Sequence, residues 1–200
     1  MRRLLLLLIP PLVLAAGAAA AGPRVVVRTV PGTHLRMGVP AGWKSLDRAQ
    51  ALVLEQRVAS LNPQIAPLIR AVASNGSVIK LVTYDPHSRG GLATNANVVA
   101  QPSPSPSLAS VIAHELPFVR QVLHPSTLAQ KSISAAGKPA EEVSFTARIN
   151  EPSGLTTVAE TQVYVIEKGT LYVVTLTTSA GSRAAYAATF AAIIQSLSFG

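Results

Sequence analysis

The sequence predicts an α+β domain, arranged as an α/β/α sandwich around a central antiparallel sheet. Residues 142–178 contain alternating or β-branched segments separated by short turns, which is typical of an antiparallel meander. A helical pattern closes the chain, with apolar residues at Tyr186, Phe190, Ile193 and Leu197. Similar helical patterns precede the strands, so both faces of the sheet can be covered by helices.

The first half of the chain is predicted to alternate strands and helices. Residues 34–39 alternate apolar and polar side chains, which predicts a half-buried strand whose inward residues are Leu35, Met37 and Val39. Two helices follow, at residues 45–61 with Ser45 as N-cap and at residues 63–73. The alternative start of the second helix is at Ala66 and Pro67, because Pro67 would cost a hydrogen bond inside a helix that begins at Pro63. Residues 78–84 are mostly apolar on both faces, which indicates a strand that is covered on both sides.

The middle of the chain is predicted to contain a strand, a connector and a long helix. Residues 94–100 form the strand, and the proline- and serine-rich residues 101–107 form the connector. A helix follows over residues 108–123, with Ser107 as its N-cap. Pro117 lies inside this pattern and predicts a kink or a break in the helix.

The C-terminal part is predicted to be mainly β-structure. Residues 143–149 alternate strictly, as expected for a strand with one face in water. Residues 156–166 and 171–178 are expected to pair as a hairpin, because Gly169 in the short loop between them can adopt a left-handed conformation. Ser182 is the expected N-cap of the closing helix, which must lie on the meander.

The N-terminus has the layout of a secretory signal peptide. Arg2 and Arg3 precede an apolar run at residues 4–14, and the small residues that follow offer a cleavage site near Ala21. The sequence therefore predicts an exported protein that is secreted, periplasmic or associated with the cell envelope. The alternative is a membrane-tethered periplasmic domain with an uncleaved leader, because the uncharged run is almost long enough to span a bilayer.

The length of 200 residues fits one domain after such a leader. We assign residues 1–22 to the signal peptide and residues 33–200 to a single domain. Residues 23–32 between them form an extended arm, since proline and glycine disfavour a helix there.

Composition removes several classes of protein. The chain has no cysteine, so disulfides, thiolate zinc sites, iron–sulfur clusters and catalytic thiols are excluded. Charged residues make up 13% and hydrophobic residues 48%, which excludes a disordered chain. Without Arg2 and Arg3 of the leader, the chain has 15 basic and 9 acidic residues, a net charge of +6. These basic residues are spread singly along the sequence, so no nucleic-acid partner is expected. The positive net charge is expected to give weak contact with an anionic membrane or envelope polymer.

Known catalytic motifs are missing from the sequence. It contains no Gly-x-Ser-x-Gly elbow, no P-loop and no dinucleotide-binding glycine pattern. His114 and Glu115 resemble half of a zinc-protease helix, but Phe118 occupies the place of the second histidine. Glu141 and Glu142 are neighbours that point to opposite faces of a strand. We therefore expect no catalytic residue, metal site or cofactor, and a protein that is not an enzyme.

A polar loop after the strand at 78–84 is the main candidate for binding. Together with the next strand it supplies the predicted ligand or partner contacts, which are Asp85, His87, Ser88, Arg89, Asn95 and Asn97. Residues 85–107 are the candidate contact surface. The alternative is a hydrolase or transferase that acts on envelope material and uses Asp85, His87 and Ser88.

Several short segments in order resemble the PsbP-like superfamily. They are VPAGW at 39–43, TNANV at 94–98, GKPA at 137–140, the hairpin at 162–175 and the closing helix at 186–197. This superfamily includes an extrinsic subunit of plant photosystem II, a Ran-binding import factor and actinobacterial lipoproteins of the LpqN type. The resemblance implies an α/β/α sandwich that binds proteins or ligands and does not catalyse. It transfers no partner and no binding residue.

The sequence thus predicts an exported, non-enzymatic envelope protein that acts as a binding or accessory module. Its partner is expected to be a protein or a small ligand. Unlike the LpqN-type lipoproteins, the chain lacks a cysteine that could carry a lipid.

Overall fold

The chain is described by a computed structural model over residues 24–47, 79–88, 92–151 and 154–200, together with residues 49–51, 53, 56 and 60. The elements of this described part are β1 (Val25–Thr29), β2 (Leu35–Pro40), β3 (Lys44–Ser45), β4 (Ile79–Tyr84), β5 (Asn95–Pro102), α1 (Leu108–Leu123), β6 (Thr127–Ala135), β7 (Lys138–Glu151), β8 (Gly154–Glu167), β9 (Thr170–Ser179), a 3₁₀ turn (Ala180–Ser182), α2 (Arg183–Gln195) and β10 (Ser198–Phe199).

A large antiparallel sheet forms the centre of the molecule. Its strand order is β3-β4-β5-β9-β8-β7-β6, and every neighbouring pair is antiparallel. The predicted hairpin between β8 and β9 is confirmed, and Gly169 has a φ of 73°. From β6 to β9, each strand pairs with the strand that follows it in the sequence. The contacts in this half of the sheet are therefore mostly local in sequence.

One face of the large sheet is covered by α2 and a second, smaller sheet. The extended arm is strand β1, which pairs with β2, and β10 pairs with the other edge of β2. Apolar side chains of β2 and α2 meet those of the large sheet in one core, to which Met37, Val163, Phe190 and Ile193 belong. The helical layer predicted on this face therefore shares it with a sheet.

The other face of the large sheet is covered by α1. Val111, Ile112 and Val119 of this helix pack on Phe145 and Tyr164 of the sheet in a second core. Ser107 is the N-cap as predicted, and its Oγ accepts a hydrogen bond from the N–H of Ser110 at 3.3 Å. Of the predicted kink or break at Pro117, the break does not occur, because α1 continues through Pro117 to Leu123.

The predicted cap of the first helix is corrected by the structure. Ser45 belongs to β3, whereas Asp47 and Gln50 form a capping box. The N–H of Gln50 donates to Asp47 Oδ1 at 2.8 Å, and the N–H of Asp47 donates to Gln50 Oε1 at 3.0 Å. Most of this helix and the whole helix predicted at residues 63–73 lie outside the described residues.

The predicted α+β class with a central antiparallel sheet is confirmed by this arrangement. The predicted leader at residues 1–22 lies outside the described residues. In the part of the chain that the structure describes, neither α1 nor α2 combines the length and apolarity that a bilayer crossing demands.

Candidate functional site

The face of the large sheet below α1 carries a group of buried polar side chains on three adjacent strands. The pairing register aligns them in two rows across β5, β9 and β8. We call this group the inner polar patch; its members are Asn95, Thr177 and Glu160 in the first row and Asn97, Thr175 and Gln162 in the second. All six side chains are buried.

Strand alternation explains why these residues share one face. In each strand the polar positions have the same parity as residues of the α1-side core, for example Val99 in β5 and Val173 in β9. The row next to Asn97 is therefore apolar and consists of Val99, Val173 and Tyr164. The patch interrupts an otherwise apolar surface, and burial of polar groups is costly unless they are hydrogen-bonded.

Hydrogen bonds satisfy the β8 side of the patch. Tyr164 donates its hydroxyl to Gln162 Oε1, and Gln162 donates its amide to Glu160 Oε1. The hydroxyl of Thr177 lies 3.4 Å from Glu160 Oε2. This chain fixes the orientation of the Gln162 amide, since its oxygen faces a donor and its nitrogen faces an acceptor.

Glu160 is a buried carboxyl without a cationic partner among the described contacts. Burial raises its pKa from the usual 4.5 to about 8, and the hydrogen bonds from Gln162 and Thr177 oppose this by a smaller amount. Glu160 is therefore protonated at pH 7 and can donate as well as accept. Its proton can face the hydroxyl of Thr177.

Glu115 of α1 is a second neutral carboxyl above the sheet. It is only 2% exposed, and its Oε2 has no hydrogen-bond partner within the described structure. Burial raises the pKa of Glu115 from 4.5 to about 8. The pKa of the Tyr164 hydroxyl is also raised, mainly by burial and further by the charges that Glu115 and Glu160 carry once they ionise above their own pKa of about 8. Both carboxyls thus lie near Tyr164.

The β5 side of the patch is not satisfied. Asn97 is fully buried, yet neither its Oδ1 nor its Nδ2 has a hydrogen-bond partner among the described residues. Asn95 donates to the carbonyl of Ala93 at 3.0 Å, but its Oδ1 is unpartnered. Native proteins rarely leave such groups without a partner, and the described residues supply none for these three atoms.

The patch is chemically a neutral hydrogen-bonding surface. Together with Glu115 of α1, the patch offers amide, hydroxyl and carboxyl groups, and it has no net charge when the carboxyls of Glu115 and Glu160 are protonated. Among the described residues no group of three or more His, Asp or Glu side chains is close enough to hold a metal ion. The arrangement is suited to bind hydroxyl or amide groups.

Comparison of the whole fold with solved structures gives two informative similarities. Cyanobacterial PsbP (CyanoP) from Synechocystis sp. PCC 6803 has a TM-score of 0.56 at 13% sequence identity, over 92% of this chain and 96% of that chain. LpqN, involved in cell envelope biogenesis of Mycobacterium tuberculosis, has a TM-score of 0.51 at 11% identity, over 88% of this chain and 90% of that chain. The chain has a PsbP-like fold.

Sequence comparison alone does not detect this likeness. No family model matches the chain, and no curated protein matches it. The yeast Ran-binding protein Mog1p from Saccharomyces cerevisiae has a TM-score of only 0.42 at 9% identity, over 88% of this chain and 96% of that chain. The likeness to cyanobacterial PsbP and LpqN, at 13% and 11% identity, shows the fold alone, and ligands and partners do not transfer.

In this PsbP-like fold, Asp85 and Ser88 of the loop that was predicted to bind a ligand form hydrogen bonds within the protein. Asp85 Oδ1 accepts from the N–H of His87 at 2.8 Å, and Asp85 Oδ2 accepts from the hydroxyl of Tyr186 at 2.6 Å. Ser88 is buried and donates to the carbonyl of Asp85 at 3.0 Å. Ser88 therefore does not form a nucleophile–base pair with His87, whose side chain is exposed. Arg89 lies outside the described residues.

The predicted contact surface at residues 85–107 needs correction. Leu92, Ala93 and Thr94 are buried, and Asn95 to Ala100 form the buried part of a central strand. The exposed positions of this segment are concentrated between residues 102 and 107. Asn95 and Asn97 are consequently interior residues of the sheet and do not belong to the exposed surface that the sequence predicts for this segment.

The sequence prediction missed Glu115, Glu160 and Gln162. A signal was present for each of them. Glu115 follows Val111 and precedes Val119 at intervals of four, so it lies on the apolar face of α1. Glu160 and Gln162 share the parity of Val158 and Tyr164, which are core residues of β8. A polar residue at an apolar position of a helix or strand can be recognised as buried only after that face of the element has been assigned to the core.

Proposed function

We propose that this chain is an exported, non-enzymatic binding protein of the cell envelope that takes up an uncharged small molecule at the inner polar patch. The observation that carries the proposal is the unpartnered amide of Asn97 at a fully buried position. Such a side chain costs stability unless something completes its hydrogen bonds. A binding role explains its presence.

The free atoms define the chemistry of the ligand. Asn95 Oδ1 and Asn97 Oδ1 accept, Asn97 Nδ2 donates, and the neutral Glu115 carboxyl can do both. A compound with several hydroxyl groups, or with hydroxyl and amide groups, supplies both donors and acceptors. The patch and Glu115 contain no cationic group that could attract an anion. Their two carboxyls are protonated and therefore carry no charge that could attract a cation.

Export and the envelope location rest on the basic and apolar N-terminus together with the fold. LpqN, which shares the fold, is involved in cell envelope biogenesis in its own organism. Mass spectrometry of the protein recovered outside the cytoplasm tests this part. We expect an N-terminus near Ala21, whereas an intact Met1 in a membrane fraction would support the tethered alternative and a cytoplasmic protein would refute export.

Ligand binding is tested by thermal unfolding and calorimetry with the uncharged probes glucose, inositol and N-acetylglucosamine. A probe that binds the folded state raises the unfolding temperature. We expect Asn97→Leu to abolish this rise. The matched control is Thr178→Val, which removes a buried hydroxyl from the opposite face of the sheet, where Thr178 and Thr94 are hydrogen-bonded at 2.8 Å. This control should retain binding.

Stability without any probe separates a binding role from a structural one. Replacement of an unpartnered buried amide by the similarly sized Leu should raise the free energy of unfolding by about 1–2 kcal/mol. Thr178→Val should not, because its hydroxyl is satisfied. If Asn97→Leu destabilises the protein and none of the three probes binds, the proposal is wrong.

A further inference from the structure

A groove of about 510 Å³ opens at one end of the large sheet, away from the inner polar patch. Its walls come from the turn between β1 and β2, the start of β4, and the adjoining ends of β5 and β9; the residues that matter most are His34, Lys80, Gln101, Thr170 and Tyr172. We propose that this groove is a second site, which binds an organic anion. The phosphate or carboxylate group of this anion contacts Lys80, and the apolar part of the same molecule packs against Tyr172.

The position of Lys80 results from a β-bulge. Ile79 is opposite Val99, and Leu81 is opposite Val98, so two steps along β4 match one step along β5. Ile79 packs in the α1-side core and Leu81 in the α2-side core, which leaves Lys80 as the extra residue. Bulges commonly re-aim a side chain next to a functional site. Here the bulge brings a half-buried lysine into the groove.

The wall that carries His34 is rigid. Thr33 donates its hydroxyl to the carbonyl of Val30 at 2.9 Å and accepts from the N–H of Leu35 at 3.1 Å. The N–H of Val30 also donates to the carbonyl of Leu35 at 2.8 Å, which closes the turn. These bonds fix the backbone on both sides of His34, so the turn itself need not be ordered on binding.

The opposite wall is equally fixed and partly apolar. The β5–β9 ladder extends to the pair Pro102 and Thr170, and the N–H of Ser103 donates to the carbonyl of Gly169 at 2.8 Å. The ring of Tyr172 is held edge-on against Phe199, with 5.2 Å between the ring centroids. Tyr172 is 5% exposed, so only a small part of this aromatic residue lines the groove together with Lys80.

Charge and position favour an anion at this site. Among the described lining residues, Lys80 and His34 can carry positive charge and none is a carboxylate. Ala100 and Tyr172 belong to the α2-side core, whereas the inner polar patch faces α1. Most of the groove therefore lies on the α2 side at the end of the sheet, apart from the inner polar patch, and loss of one site does not imply loss of the other.

The test is a titration of the full mature protein with phenyl phosphate and, separately, with inorganic phosphate, followed by calorimetry and amide NMR shifts. We expect phenyl phosphate to bind more tightly than inorganic phosphate and to shift the amides of Gly32, Gln101 and Thr170. Lys80→Ala should weaken binding about tenfold, the loss expected for one charge-assisted contact. The matched control Lys44→Ala removes an exposed lysine from β3 and should leave binding unchanged.

Vesicles that contain phosphatidylglycerol form a further arm of the test. If the protein binds these vesicles through Lys80 but does not bind phenyl phosphate, the anion is a lipid headgroup. If it binds phenyl phosphate in solution, the anion is a free molecule. Equal losses in Lys80→Ala and Lys44→Ala would show attraction by net charge only and would overturn the site. Equal affinity for the two phosphates would overturn the role of Tyr172.

Discussion

Tyr186 donates its hydroxyl to Asp85 Oδ2 at 2.6 Å and so joins α2 to the loop after β4 across 101 residues of sequence. The ring of Tyr186 lies edge-on to Trp43, with 6.5 Å between centroids, and also contacts Phe190. Asp85 simultaneously holds the N–H of His87. These contacts assign Asp85 a role in fixing the position of α2 on the sheet.

A double-mutant cycle tests the link between Tyr186 and Asp85. Tyr186→Phe and Asp85→Ala should each lower the free energy of unfolding, with a coupling of about 1 kcal/mol between them, because a hydrogen bond to a charged but partly exposed group is lost. Urea denaturation of the two single variants and the double variant measures this coupling. Strictly additive losses would mean that the two side chains stabilise the fold independently.

The C-terminal meander and the closing helix could be predicted because alternation and helical spacing are local properties of the sequence. Phe190 and Ile193 are buried as their spacing indicated. The pairing of β1 with β2 and the insertion of β5 beside β9 could not be predicted, since both depend on contacts between residues distant in sequence. Asn95 and Asn97 were therefore assigned to an exposed surface, although β5 lies between two other strands.

The two buried carboxyls make stability depend on pH. The pKa values of Glu115 and Glu160 are about 8 in the folded protein and 4.5 when unperturbed. The unfolded chain therefore loses protons at lower pH than the folded chain does, and stability is highest below pH 4.5 with respect to these groups. Between those pH values each carboxyl lowers the free energy of unfolding by up to about 1.4 kcal/mol per pH unit.

Glu160→Gln provides the matched variant for this pH dependence. The amide cannot ionise and can keep the hydrogen bonds to Gln162 and Thr177 if it is oriented correctly. Urea denaturation at a series of pH values between 5 and 8 should give a shallower decline for this variant, with its largest gain over the wild type at the alkaline end. Parallel curves for both proteins would contradict a protonated Glu160.

The turn between β8 and β9 has one position, Lys168, at which a substitution is expected to stabilise the protein. Lys168 has a φ of 48° and Gly169 a φ of 73°, so both central residues of this two-residue turn are left-handed. The side chain of Lys168 is exposed, and a residue with a Cβ is strained in this conformation. Lys168→Gly should raise the free energy of unfolding by about 0.5–1 kcal/mol. Lys138→Gly, within strand β7, is the contrasting control and should lower it.

The contact between Gly38 and Ser196 leaves no room for a larger residue in β2. The N–H of Gly38 donates to Ser196 Oγ at 2.7 Å, and this hydroxyl donates to the carbonyl of Ile193 at 2.6 Å. A Cβ on Gly38 would lie 2.6 Å from Ser196 Oγ and 2.9 Å from Val25 Cβ. Either β2 or the end of α2 would have to shift to accommodate it.

Gly38→Ala should accordingly lower the free energy of unfolding by about 1–3 kcal/mol, the usual cost of overpacking. Gly181→Ala is the matched control, because a Cβ there meets nothing within 4 Å, and it should change stability by less than about 0.5 kcal/mol. Urea denaturation of both variants makes the comparison. Equal stability of the two variants would mean that the small sheet and α2 are not packed as closely as this contact requires.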